Sequence, residues 1–226
     1  MHKRVSRDGT EDEVAVEEPL EIRVDGRPIA VTMRTPGNDE ELALGFLHGE
    51  GLIDGPMLRD PVERSFYTSS SCGVCGKGSI EEVAVDAPPA EPGPTVSREL
   101  LATLPEHLRQ PAFALTGGLH ATGLFDAAGA AIVAREDVGR HNAMDKVIGR
   151  ALIDGHLPLS GLILCVSGRI AFELVQKAAV AGCPVLVGVG APTSLAIDLA
   201  SDRGMTLAGF ARQGSVNVYS GAERID

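Results

Sequence analysis

The chain has 226 residues, 44% hydrophobic and 23% charged, no tryptophan and a formal charge of -11 at pH 7. That length buries a substantial core, as one large domain or two small ones, and the composition is that of an ordinary globular protein. The acidic excess excludes nucleic-acid polymers and anionic membranes as natural partners, and an aromatic content of 4% disfavours base-stacking platforms; a small phosphate ligand in a local basic pocket stays open.

No apolar run reaches transmembrane length, and the start of the chain (Met1-His-Lys-Arg4) lacks a signal-peptide core, so a cytoplasmic protein with no membrane partner is expected. In that setting four cysteines read as chemistry or core, not as a disulfide scaffold. Cys165, inside Leu162-Ile-Leu-Cys-Val166, and Cys183, ahead of Pro184, read as small buried hydrophobes.

In chain order, the first dozen residues are polar and expected to fray. Leu20, Ile22 and Val24 alternate, Asp25-Gly26 marks a turn, and Ile29, Val31 and Met33 alternate again, which predicts a β-hairpin. Asn38 is read as a helix cap with Glu41 in the reciprocal position; Leu42/Phe46 and Ala43/Leu47 form the buried face, and Gly49 and Gly51 end the helix. The Pro-rich stretch 86–95 reads as a linker.

Beyond it Ser97 starts a helix, and a strand-helix rhythm follows. Strands are expected near 130–134, 162–166, 185–189 and 205–210, with 216–219 closing the chain. The first three run into helices, the first of which carries Met144/Ile148 and Val147/Ala151 on its buried face. Alternation of this kind implies parallel crossovers, hence a layered α/β domain over 96–226, preceded by a smaller α+β domain over 1–95.

In such a sheet the strand-to-helix loops gather along one edge, where α/β proteins hold ligands. Here they carry Arg140 and His141, Ser167 and Arg169, and Thr193 and Ser194, and Arg212 joins from the last loop. Helix starts with arginines nearby suit a phosphorylated or nucleotide-like molecule. No Walker A or Gly-x-Gly-x-x-Gly fingerprint is present, so the inference rests on convergence. Taken singly, the hydroxyls read as helix caps, the arginines as surface ion pairs and His141 as a backbone hydrogen-bonder.

The segment Ser69-Ser-Ser-Cys72-Gly-Val-Cys75-Gly-Lys77-Gly78 is the sharpest chemical signal. Flanking glycines suit a loop, and a neighbouring lysine with bare backbone N–H groups favours the thiolate. Structural zinc needs four ligands, and only one Cys-x-x-Cys is present. A thioredoxin-like pair opens a helix, for which Gly76-Lys-Gly78 is a poor start. An accessible, partly ionised sulfur carrying a persulfide fits the loop. His48-Gly-Glu50 followed by Cys72-Gly-Val-Cys75 also echoes a zinc-deaminase signature, although Ser71 stands where that signature has proline. The plainer reading makes His48 a solvated helix-end position and Glu50 a surface charge.

Taken together, these motifs resemble the FdhD family of sulfur-carrier proteins required for formate dehydrogenase activity. The resemblance rests on Ala15-Val-Glu-Glu-Pro-Leu-Glu21, Arg34-Thr-Pro-Gly-Asn38, Leu42-Ala-Leu-Gly-Phe46 and the cysteine segment 68–77. It continues through Glu136-Asp-Val-Gly-Arg-His-Asn-Ala-Met-Asp-Lys146, Ser167-Gly-Arg169, Gly190-Ala-Pro-Thr-Ser194, Gly209-Phe-Ala-Arg212 and Asn217-Val-Tyr219. Between Pro56 and Arg64 the chain is shorter than the family's usual length.

The resemblance implies a cytidine-deaminase-like fold without zinc chemistry and with no permanently bound metal. It implies that Cys72, assisted by Cys75, takes persulfide sulfur from a cysteine desulfurase. The sulfur passes to the metal of molybdenum bis(molybdopterin guanine dinucleotide), bound as substrate, before formate dehydrogenase receives that cofactor. It places cofactor binding on Phe210, Ala211, Arg212, Gln213, Gly214 and Ser215, and it implies a homodimer. Two other readings stay open: a cofactor-binding chaperone whose cysteines only clamp the ligand, and a zinc-dependent deaminase-like hydrolase.

Overall fold

Asp25 and Gly26 both adopt positive φ, the geometry of the tight turn that joins two right-twisted strands. They link β3 (Glu18–Val24) to β4 (Arg27–Arg34) as the alternation predicts. The buried phase on β4 differs from expectation. Ala30, Thr32 and Arg34 are buried while Met33 is exposed, because Ile22 pairs with Ala30 and Leu20 with Thr32 on the inward face. Thr32 donates to Asn142 and Arg34 forms a fork with Asp39 (3.0 and 2.8 Å), so polar side chains face inward where partners await them.

The first residues do not fray. β1 (His2–Arg7) and β2 (Thr10–Ala15) form a hairpin about Asp8-Gly9, again at positive φ. His2 and Arg4 pair with Glu13 and Arg7 with Asp12 across it, so the polarity that suggested disorder is a ladder of opposite charges. The computed structural model describes residues 1–54, 57–58, 85 and 87–226. Cys72 and Cys75, whose segment is read from sequence as a loop, and the stretch near Arg64, read as shortened, lie outside the described residues.

α1 (Asp39–Gly49) follows β4, and the short strands β5 (Ile53–Asp54) and β6 (Met57–Leu58) follow α1. Asn38 occupies the cap position in a left-handed conformation, but its side chain makes no capping bond. Glu41 does not reach back either; it grips Arg135 through both oxygens at 2.6 and 2.8 Å.

After 87–96 come α2 (Arg98–Thr103), a 3-10 turn (Leu104–His107), α3 (Pro111–Thr116) and β7 (His120–Phe125). Ser97 caps α2 as expected, accepting from the Leu100 amide at 3.1 Å. Then follow β8 (Ala131–Asp137), α4 (Arg140–Ile153), β9 (Ile163–Val166), α5 (Phe172–Val180), β10 (Val185–Gly188), α6 (Ser194–Asp202), β11 (Thr206–Arg212) and β12 (Ser215–Ser220).

The main sheet runs β12-β11-β10-β9-β7-β8. β9, β10 and β11 are parallel, as the rhythm predicts, but β7, β8 and β12 make antiparallel pairs, so the sheet is mixed. β7 is the element the sequence reading passes over. It joins β8 through a turn in which the Asp126 carboxylate accepts from the amides of Ala128 and Ala130, and it slots between β8 and β9.

Alternate residues of the sheet serve two cores. Leu164, Val166 and Leu186 pack with α4, α5 and α6, whereas Ile163, Cys165, Val185 and Val187 face Leu101 and Leu104 of α2 and its following turn. Among the described cysteines, Cys165 and Cys183 are buried free thiols. Burial raises both pKa values, that of Cys183 to about 12, which keeps them inert as the sequence reading expects.

α1 lies across α4 with almost no space between the backbones. A Cβ on Gly45 would sit 1.9 Å from the Asp145 carbonyl oxygen, and one on Gly149 would sit 1.8 Å from that of Glu41. Gly149→Ala in a free helix would gain about 1 kcal/mol from propensity. Here it is expected to cost about 3 kcal/mol, because the added carbon meets backbone that cannot rotate aside. Chemical denaturation of the variant reads the sign directly.

Candidate functional site

The strand-to-helix loops converge at one sheet edge through a chain of backbone bonds. The Gly190 amide donates to Gly168 (3.1 Å), Ile170 to Ala191 (3.0 Å), Thr193 to Ile170 (3.0 Å) and Phe210 to Gly190 (3.1 Å). Gly190 allows that contact: a Cβ there would lie 2.9 Å from both the Arg169 Cα and the Gly168 carbonyl oxygen. Ser167, Arg169, Thr193 and Phe210 are thereby held along one rim. Ser167 spends its hydroxyl on structure, accepting from the Ala121 amide at 2.9 Å. Thr193 stands at the α6 cap position without a side-chain capping bond, and Ser194 is exposed.

Arg140 opens α4 at the same edge. Its Nε is buried with no hydrogen-bond partner among the described residues. Among the described residues, no carboxylate forms an ion pair with Arg140, Arg169 or Arg212. His141 points beneath the edge: it is 2% exposed, with Nε2 3.8 Å from Glu173. Burial lowers its pKa, with the Glu173 carboxylate opposing.

The turn joining β11 and β12 carries the other group. Gln213 and Gly214 have positive φ, and a bulge between Gly209 and Arg212 throws Phe210 outward. Phe210 itself has φ 53, a conformation bulky residues rarely hold, and it is 36% exposed while Ala211 is fully buried. Phe210, Arg212, Gln213, Ser215 and Asn217 line a recess of about 350 Å³. A larger hollow of about 590 Å³ lies elsewhere, along the outer edge of β8; Asn38 and Glu136 line it, but none of the candidate catalytic or cofactor-binding residues does.

Under this edge, two buried ion pairs hold α4. Lys146 meets Asp137 at 2.7 Å with both side chains fully buried. The Asp137 carboxylate also accepts from the amides of Thr35 and Gly139 and from Asn142, and Lys146 donates to the Thr35 carbonyl. The stretches 34–38 and 136–146, picked out as separate motifs, are therefore two sides of one network. The second pair is Lys177–Asp145 at 2.7 Å, with the Lys177 ammonium also over the Phe46 ring. Burial pushes Asp145 up to about 6 although Lys177 pulls it down.

Glu50 belongs to this cluster. It is 8% exposed rather than a surface charge, and its field reaches Asp145 and Lys177; His48 is half-buried rather than solvated. Beside the pair, the Val85 amide donates to Gln176 of α5 at 3.0 Å. Two residues were not assigned to the site from sequence, although Asn217 stood in a quoted motif. Asn217 shares the recess wall, two positions past Ser215 on a strand, a spacing that puts both on one face. His120, discussed below, carries no local motif.

Fold and edge together define a mixed α/β protein with an arginine-bearing sheet edge. The chain belongs to the FdhD/NarQ family, whose model matches residues 15–65 and 57–226. A sulfur carrier protein FdhD of Streptomyces coelicolor is 49% identical, covering 95% of this chain and 89% of its own length. One from Mycobacterium tuberculosis is 47% identical over 94% and 91%, and one from Sulfolobus acidocaldarius 46% over 97% and 94%. The crystal structure of a protein described as a formate dehydrogenase accessory protein, from Desulfotalea psychrophila, superposes with a TM-score of 0.78 at 28% identity, covering 100% of this chain and 98% of that one.

Proposed function

We propose that this protein is a sulfur carrier in formate dehydrogenase maturation. The carrying observation is the match along nearly the whole chain to relatives bearing that name, in a sequence that has Cys72-Gly-Val-Cys75. The Cys72 thiolate attacks the outer sulfur of a cysteine desulfurase persulfide, and the desulfurase leaves as thiolate. The sulfur then passes to the metal of molybdenum bis(molybdopterin guanine dinucleotide), the bound substrate. Cys75 assists by attacking the inner sulfur, which forms a Cys72–Cys75 disulfide as sulfide departs; a thiol reductant reopens it.

The guanine dinucleotide lies along the sheet edge, with its pyrophosphate near Arg140 and Arg169 and one nucleotide end in the recess of Phe210, Arg212, Gln213 and Ser215, beside Gly214. Arginines without an ion-pair partner among the described residues, and the outward Phe210, support this placement. The mixed sheet covered by helices on both faces supports a cytidine-deaminase-like layering. A cytoplasmic homodimer completes the reading. No described helix is long and apolar enough to cross a membrane.

The test is co-production with formate dehydrogenase in cells lacking their own accessory protein of this family. Restored formate oxidation supports the reading. Full-length but inactive enzyme, with this chain present and folded, contradicts it.

A further inference from the structure

His120 is the first residue of β7, and the mixed topology sets it in the middle of the ligand edge. It pairs with Asp137 at the end of β8 on one side. On the other side it faces the loop after β9, where its ring packs on Gly168: a Cβ there would lie 3.3 Å from Nδ1. It stands between the loop that carries Arg140 and the loop that carries Ser167 and Arg169. The ring is half-buried, and no described residue hydrogen-bonds it.

Two charged groups act on it. Arg140 from α4 disfavours the imidazolium, and Asp137 from β8 favours it but is already committed to Lys146. Ser167 and Gly168 on the remaining side are neutral. Burial is the largest influence and lowers the His120 pKa below the ordinary histidine value. Beside it, the Arg140 Nε is buried without an acceptor among the described residues. A buried N–H without an acceptor is costly, and an anion seated between the two side chains satisfies both.

We propose that His120 and Arg140 form a phosphate subsite within the sheet-edge pocket, and that a ligand phosphate binds there together with a proton on His120. The proton comes from solvent and is held between imidazole and phosphate oxygen, so no redox partner is needed. The inference rests on the nucleotide-pocket reading above and adds a residue and a pH dependence to it.

Titration calorimetry of the full chain with guanosine diphosphate at pH 6, 7 and 8, in buffers of different ionisation heat, tests it. The native protein is expected to take up protons on binding, and its affinity to rise by up to about tenfold per pH unit as pH falls through the histidine range. The terminal phosphate of the probe titrates in the same region, so the decisive quantity is the difference from His120→Gln. That variant should lose the extra proton uptake, and Arg140→Gln should bind at least tenfold more weakly at every pH. If His120→Gln does not fold, the His120 ring resonance of the native protein serves instead: its titration midpoint should move up when the probe is added. Equal proton uptake in native and His120→Gln proteins, or a midpoint the probe does not move, overturns the inference and leaves the pocket standing. No binding of the probe to native protein at any pH removes the pocket reading, and this subsite with it.

Discussion

Replacing Lys146 with Met is expected to destabilise the protein by about 3–5 kcal/mol, the usual cost of stripping one partner from a buried ion pair. Both Lys146 and Asp137 are fully buried, 2.7 Å apart. Methionine fills much of the volume, so lost packing is a minor part of the effect. The remainder falls on the Asp137 carboxylate, which keeps its bonds from Thr35, Gly139 and Asn142 but loses its only close cation among the described residues. A fall in melting temperature on the order of 10 °C follows for a chain of this size. The Lys146→Met/Asp137→Asn double variant should recover part of it, since removing the charge removes the penalty. A single variant within about 2 °C of the native protein would mean the pair does not hold α4 against the 34–38 segment.

Cys72→Ala is expected to abolish restoration of formate dehydrogenase while leaving guanosine diphosphate affinity within about twofold. The logic is chemical: alanine has no sulfur to carry, whereas the edge proposed to bind the nucleotide is built from the ends of β8, β9 and β10 with the helices that follow them, and from the β11–β12 turn. Losing both functions would make the cysteine loop structural. Retaining restoration would favour a chaperone whose cysteines only clamp the cofactor. Cys75→Ala should lower restoration less, because an assisting thiol can be replaced by an external one.

Much of the architecture was legible in the sequence because short Val-, Ile- and Leu-rich runs buried on both faces have few alternatives. β9, β10 and the helix carrying Met144, Ile148 and Ala151 lie where periodicity puts them. What escaped was decided by partners distant in sequence. Thr32 and Arg34 face inward on β4 because Asn142 and Asp39 receive them, which no alternation pattern encodes. Glu41 has the spacing of a capping box, yet Arg135 outbids the helix N-terminus with a two-point ion pair. Gly45 and Gly149 look like weak helix positions until two backbones are seen to meet there.

The site shows the same division. Arg140 and Arg169 could be picked out because strand-to-helix loops share an edge by topology, and Arg212 because the last loop returns to that edge. Asp137, Asn142 and Lys146 stood in the same stretch but act inward, as the scaffold that presents Arg140. His120 had no motif to mark it. Its place depends on β7 entering the sheet antiparallel, and that insertion had to be seen.

The measurement that bears most directly on the sulfur-carrier account is the intact mass of the protein after incubation with a cysteine desulfurase and cysteine, beside a Cys72→Ala control. The account predicts a gain of one or more sulfur atoms, reversed by reductant and absent from the control. An unchanged mass with a competent desulfurase, or an equal gain in the control, would contradict it.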